Sequence, residues 1–140
     1  YCQKDYSKFV ENGRNVGCTA TSEAIAVSIL HQNGQYTPDK MGWCADGATW
    51  SNSNTIDVSG MSEKERLGFL YDKIIDKTPV VVRTDYYGEH TVVAVGIKNN
   101  VDRNSLSQSD ILIIDPNDGK VKLLSDLNAN FKGNYVRVPK

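Results

Sequence analysis

From Pro79 onward the chain is rich in β-branched residues, whereas the stretch before it carries helix signals, and this division constrains the fold more than any other feature. Pro79-Val80-Val81-Val82-Arg83-Thr84 and His90-Thr91-Val92-Val93-Ala94-Val95-Gly96-Ile97 have the side-chain character of strands. Ile111 to Ile114, Val121 to Leu124 and Tyr135 to Val138 supply further strands. The connections Asp85 to Glu89 and Pro116 to Gly119 are short, which predicts antiparallel neighbours. The polar stretch Asn99 to Ser109 has no apolar period and is expected to be a mobile surface loop.

Upstream, Ser62-Glu63-Lys64-Glu65 matches a capping box, with Leu67, Leu70, Ile74 and Ile75 as an apolar stripe behind it. That helix should stop before Thr78-Pro79, because the residue preceding proline avoids helical geometry. An earlier helix is predicted around Ala24 to Leu30, where only Ser28 is polar, ending near Gly34. Its apolar residues cover most of its circumference, so it should be packed on several sides. Thr37-Pro38-Asp39 looks like a third helix start, predicting a short helix through Trp43 and Cys44 to Gly47. Tyr1 to Val16 reads as an irregular arm, and Ala48 to Ser59, with Trp50 in it, as a loop. Helices first and strands second gives an α+β fold: one helical layer against one antiparallel sheet, in a single domain over residues 1–140.

A chain of 140 residues can bury a core without covalent staples. Its net charge of −1, with scattered Lys and Arg, gives no electrostatic case for nucleic acid or an anionic membrane. No apolar run reaches the roughly 18–20 residues that span a bilayer, so no membrane insertion is expected. The chain opens at Tyr1 rather than Met, which suggests a mature form or an excised domain. Three cysteines, Cys2, Cys18 and Cys44, are an odd count that suggests one reactive thiol, with the other two free or paired. There is no C-x-x-C, and His31 and His90 form no ligand cluster, so neither a metal nor a cofactor is expected.

Cys18 carries the first chemical signal. Gly17 precedes it, and Thr19, Thr21 and Ser22 follow as ordinary first-turn residues, so the thiol falls at or beside a helix N-terminus. The dipole and the unpaired N–H groups there favour a thiolate. The competing reading is a small buried hydrophobe, since free cysteine is among the most buried residue types. Thiol catalysis also needs a base, a group that orients the base, and oxyanion donors. His90, at the start of an apolar strand, and Asp115, ending another just before Pro116, are candidates for the first two. Taken singly, each has a structural alternative: a hydrogen-bonded strand histidine, and an Asp-Pro that merely opens a turn.

In combination and order, these residues carry a resemblance. The motifs are Gln3-Lys4-Asp5, Gly17-Cys18-Thr19-Ala20-Thr21-Ser22, Gly88-Glu89-His90-Thr91-Val92-Val93-Ala94-Val95-Gly96, and Ile113-Ile114-Asp115-Pro116 with Gly119. Together with Gly47-Ala48-Thr49-Trp50, they make the chain resemble a papain-like cysteine peptidase, most of all the bacterial C39-like peptidase family. The His90 to Asp115 separation is longer than in the family pattern, with Asn99–Ser109 as the apparent insertion, and Cys18 follows Gln3 by fifteen positions, which suits the soluble C39-like members better than the exporter-linked ones. The resemblance implies a papain-like fold, with the nucleophile at a helix N-terminus packed on the C-terminal sheet. It implies Cys18 as nucleophile, His90 as general base and then acid, Asp115 as its orienting carboxylate, and Gln3 as an oxyanion donor beside the Cys18 N–H. The expected substrate is a peptide or protein, the expected state a monomer, and the expected location secreted or cell-surface in a bacterium.

Three functions fit these residues. Peptide-bond hydrolysis comes first. Another acyl transfer on the same triad follows, such as a peptidoglycan amidase, isopeptidase or transamidase. The third is a non-catalytic binding domain, with Trp43, Trp50, Tyr86 and Tyr87 lining a cleft.

Overall fold

The computed structural model describes residues 10–11, 14–15, 18–36, 41, 43–44, 47–48, 51–84, 90–127 and 134–140. Its main elements are helix α1 (Cys18–His31), strand β5 (Ser53–Asp57), helix α2 (Glu63–Ile75) and strands β6 (Val80–Thr84), β7 (His90–Ile97), β8 (Ile111–Asp115), β9 (Lys120–Leu123) and β10 (Tyr135–Pro139). Short strands β1 (Val10–Glu11) and β2 (Arg14–Asn15) pair with each other, as do β3 (Trp43–Cys44) and β4 (Gly47–Ala48). The principal sheet has the order β5-β10-β6-β7-β8-β9, and every pairing in it is antiparallel. The fold class is α+β, as the division at Pro79 predicts.

The sheet is covered on both faces, not one. Val80 and Val82 of β6, Val92 and Ala94 of β7, and Ile111 and Ile113 of β8 pack with Leu67 and Leu70 of α2. The intervening Val81 and Val93, joined by Val95 and Ile114, pack with Ile25 and Ala26 of α1. Successive strand residues point to opposite faces, so α1 and α2 lie on opposite sides. The expectation of one helical layer is corrected to helix, sheet, helix. The uninterrupted apolar runs of β6 and β7 are what a sheet buried on both faces requires.

Helix α1 is packed all round, as its apolar circumference predicts. Residues 20 to 27 are buried without a break, and Ala20, Ala24 and Val27 rest on Met41 and Tyr36 away from the sheet. It ends at His31, where Gln32 takes the left-handed conformation (φ 52°), three residues earlier than the Gly34 stop. Helix α2 begins as its capping box dictates: Glu65 N–H donates to Ser62 Oγ, and Ser62 N–H to Glu65 Oε1, each at 3.2 Å.

Other expectations give way. Trp43-Cys44 is a strand paired to Gly47-Ala48, so no helix runs from Thr37 through to Gly47; Thr37 to Lys40 themselves lie outside the described residues. The loop expected from Ala48 to Ser59 contains β5, an edge strand hydrogen-bonded along β10. The arm Tyr1 to Val16 includes the β1–β2 pair. The stretch Asn99 to Ser109 is built rather than loose. It holds two short 3-10 turns, Arg103–Ser105 and Gln108–Asp110, and its Arg103 guanidinium forms a bidentate pair with Asp72 of α2 at 2.7 and 2.8 Å. Gly68, one turn earlier on α2, makes room for it, since a side chain there would meet the guanidinium at 3.1 Å.

Candidate functional site

The site lies where the N-terminus of α1 meets the start of β7. Cys18 is the first residue of α1, so its backbone N–H has no acceptor within the helix. One turn on, the buried Ser22 Oγ donates to the Thr91 carbonyl at 3.1 Å, which ties that end of the helix to β7 immediately after His90. Thr84 Oγ1 donates to the His90 carbonyl at 3.0 Å, fixing the strand from its other neighbour.

Strand parity places the histidine and the carboxylate. Ile111, Ile113 and Asp115 are the buried positions of β8, on the face that carries the α2 core. His90 has the same parity as Val92 and Ala94 on β7. The pairing of Val93 with Ile114 therefore sets Asp115 across from Val92, diagonal to His90 on one face. His90 Nε2 and Asp115 Oδ1 are 2.6 Å apart, with the histidine side chain 12% exposed and the aspartate 1%. The His90 side chain also hydrogen-bonds to the Cys18 thiol. The thiol also receives hydrogen bonds from the Thr91 backbone and side chain.

Asp115 serves the turn as well. Its Oδ1 accepts from Asn117 N–H at 2.9 Å and its backbone carbonyl from Gly119 N–H at 2.7 Å, with Gly119 at φ 73°, where a side chain would be strained. Turn-former and orienting carboxylate are thus one residue. On the far oxygen, Lys122 Nζ lies 2.8 Å from Asp115 Oδ2.

The electrostatics follow from these contacts. Burial pushes the Cys18 thiol up, but the hydrogen bond and positive charge of His90, with the donors of Thr91, outweigh it and hold the thiol below its ordinary value. Burial opposes a charge on His90 too, yet the hydrogen bonds to Asp115 and Cys18 raise it to about 9. Burial likewise works against the Asp115 charge, and the donors His90, Lys122 and Asn117 keep its carboxyl well below the usual carboxylate range. The same contacts thus favour the thiolate, the imidazolium and the carboxylate over their neutral forms.

No protein-family model matches the chain, and no curated protein or solved structure gives a significant match. The reading of the site rests on its own chemistry.

Of the residues singled out from sequence, Cys18, His90 and Asp115 come together. Gln3, Cys2, Trp50, Tyr86 and Tyr87 lie outside the described residues, as do the side chains of Trp43 and Cys44, which leaves the oxyanion donor, the cysteine pairing and the aromatic cleft undescribed. His31 is at the opposite end of α1, about 20 Å along the axis from Cys18, with Nε2 3.0 Å from the Lys140 carbonyl oxygen. Among the described residues no group of three or more His, Cys, Asp or Glu is placed to hold a metal ion, and no helix is long and apolar enough to cross a membrane. Sequence reasoning overlooked Lys122 and Thr91. The alternation Lys120, Lys122 on β9 was the available signal for the first; for Thr91 there was none beyond adjacency to His90.

Proposed function

We propose that this chain is a papain-like cysteine peptidase of the C39-like kind, hydrolysing a peptide bond. One observation carries the reading: a helix-terminal thiol and a buried carboxylate hydrogen-bond to the same imidazole, the carboxylate at 2.6 Å. A strand histidine with a purely structural role has no need of a thiol hydrogen-bonded to it.

In this reading the Cys18 thiolate attacks the scissile carbonyl carbon. A C–S bond forms, and the carbonyl π electrons move to oxygen, where the Cys18 N–H, with Gln3 as second donor, stabilises the charge. The oxyanion collapses, the C–N bond breaks, and the imidazolium gives its proton to the leaving amine. Water then attacks the thioester, His90 takes its proton, and thiolate and imidazolium return as the acid departs. Asp115 holds the ring and stabilises its charge throughout, without itself taking a proton.

The test is twofold. Iodoacetamide should alkylate Cys18 well below pH 8, and fluorogenic peptide libraries should be cleaved by the parent and not by Cys18→Ala. A thiol that reacts only as an ordinary cysteine would leave a binding domain. Cleavage of cell-wall fragments with peptides untouched would move the reading to amidase chemistry.

A further inference from the structure

Asp115 is gripped from two sides, and only one grip belongs to the reaction as written. His90 Nε2 holds Oδ1 at 2.6 Å, and Lys122 Nζ holds Oδ2 at 2.8 Å. Lys122 stands on the edge strand β9 opposite Ile113, so its side chain shares the face that carries Asp115. Its amine also lies 2.9 Å from Asp118 Oδ2, in the turn that Asp115 opens. That turn supplies a further fastening, since Lys120 N–H donates to Asp118 Oδ1 at 3.0 Å. The lysine is therefore held in place by two carboxylates and is not a loose surface chain.

We propose that Lys122 is a positioning residue, which fixes the carboxylate oxygen that faces His90 and moderates that carboxylate's pull on the imidazolium proton. The inference rests on the thiol-hydrolase reading. A carboxylate held by the histidine alone would concentrate its charge on one hydrogen bond, and the imidazolium would become a poor donor to the leaving amine. Sharing Asp115 with a second cation weakens that hold without releasing the ring.

Among the described residues, the charged groups acting on His90 include Cys18 from α1 and Asp115 from β8, while Lys122 from β9 reaches it through Asp115 and is itself held by Asp118 in the turn. Burial tends to discharge Lys122, but the bonds to Asp115 and Asp118 hold it above its ordinary range. It therefore acts as a fixed charge and not as a switch.

The chain has two histidines, so their ring signals can be followed by NMR without substrate, His90 being assigned by comparison with His31→Gln. In the parent, His90 is expected to titrate at about 9. Lys122→Gln keeps a donor for Oδ2 but removes the charge, and should move the His90 titration up by about one pH unit. Lys122→Arg keeps both and should leave it in place. A Gln variant, folded by circular dichroism, whose His90 titrates with the parent or below it overturns the proposal for Lys122 alone. A parent His90 titrating at the ordinary 6.5 would instead remove the ion pair, and with it the hydrolase reading.

Discussion

Replacing Asp115 with Asn tests the centre of the argument, because the two side chains have almost the same shape. The carboxylate accepts on both oxygens: Oδ1 from His90 Nε2 and Asn117 N–H, Oδ2 from Lys122. An amide has one acceptor. With its carbonyl toward His90 and Asn117, its NH2 faces the Lys122 ammonium, donor against donor; turned over, it fails the other two. The loss of one charged hydrogen bond and the weakening of another, at about 1.5–3 kcal/mol each, put the cost near 3 kcal/mol. That lowers Tm at neutral pH by roughly 10 °C. Because the native Asp115 carboxyl is depressed, its contribution is present above the ordinary value of 3.8 and is lost as the pH falls toward the native value. The Tm gap between parent and variant should therefore narrow in acid. His90 loses the partner that did most to raise it, so the alkaline limb of the pH–rate profile for peptide cleavage, set by His90 at about 9 in the parent, should drop by about one to two pH units. Differential scanning calorimetry across pH and the pH–rate profile of peptide cleavage read the two effects. An Asn variant that matches the parent in both Tm and alkaline limb would make Asp115 a turn residue only, and the triad would be wrong.

Cys18→Ala should abolish turnover of whatever substrate the parent cleaves while leaving the circular dichroism spectrum unchanged, since a small residue remains at the helix start; residual cleavage would refute the nucleophile. Ser22→Ala removes the tie from α1 to the Thr91 carbonyl, so kcat should fall roughly tenfold with KM little changed, at a stability cost of about 1 kcal/mol; an unaffected kcat would mean the tie does not position the thiol. Glu23 is fully buried on α1 against Ser53, and burial raises its carboxyl above the ordinary 4.5 despite the hydrogen bonds from Ser53 and Asn52. A raised carboxyl favours the fold below its unfolded pKa, and that advantage is lost as pH rises through the native one. Glu23→Gln should therefore gain in Tm relative to the parent as the pH rises above 4.5, and a difference that stays constant would contradict it.

What the sequence disclosed was whatever depends on neighbours in the chain. The capping box of α2 is a reciprocal bond between residues three apart, and it forms as the motif requires. The apolar strands and the Cys18 helix are likewise written locally, in runs such as Val80 to Val82 and Ala24 to Val27. Strand β5 was illegible because it lies at the sheet edge, where only Ser53 is buried and Asn54, Thr55 and Asp57 face solvent, so no alternation appears. The β3–β4 pair was read as helix because Thr37-Pro38 is a strong start signal, although Asp46-Gly47 is a turn dipeptide that argues for a hairpin. The order in Asn99 to Ser109 comes from Asp102 capping a short turn and from Arg103 reaching Asp72, neither of which leaves an apolar period. Strand β9 inverts the usual rule: Val121 is 61% exposed while Lys122 turns toward Asp115. Hydropathy alone assigns the wrong residue inward there, and only the partner of the lysine explains it.

Strand β10 runs between β5 and β6, although it follows both in the chain. During synthesis the hairpins β6–β7, β7–β8 and β8–β9 can therefore zip in order as they emerge, while β5 must wait for Tyr135 to Pro139 before it has a partner. Helix α1 meets β10 as well as β6 and β7, and its Glu23 is fastened to Ser53 on β5, so its final seat also depends on that late insertion. Cys18 is translated early and His90 much later, and the long-range insertion of β10 completes the bed beneath the helix. A nascent chain thus holds Cys18 apart from His90 until β7 has emerged, and the seat of α1 is complete only once β10 has joined the sheet between β5 and β6.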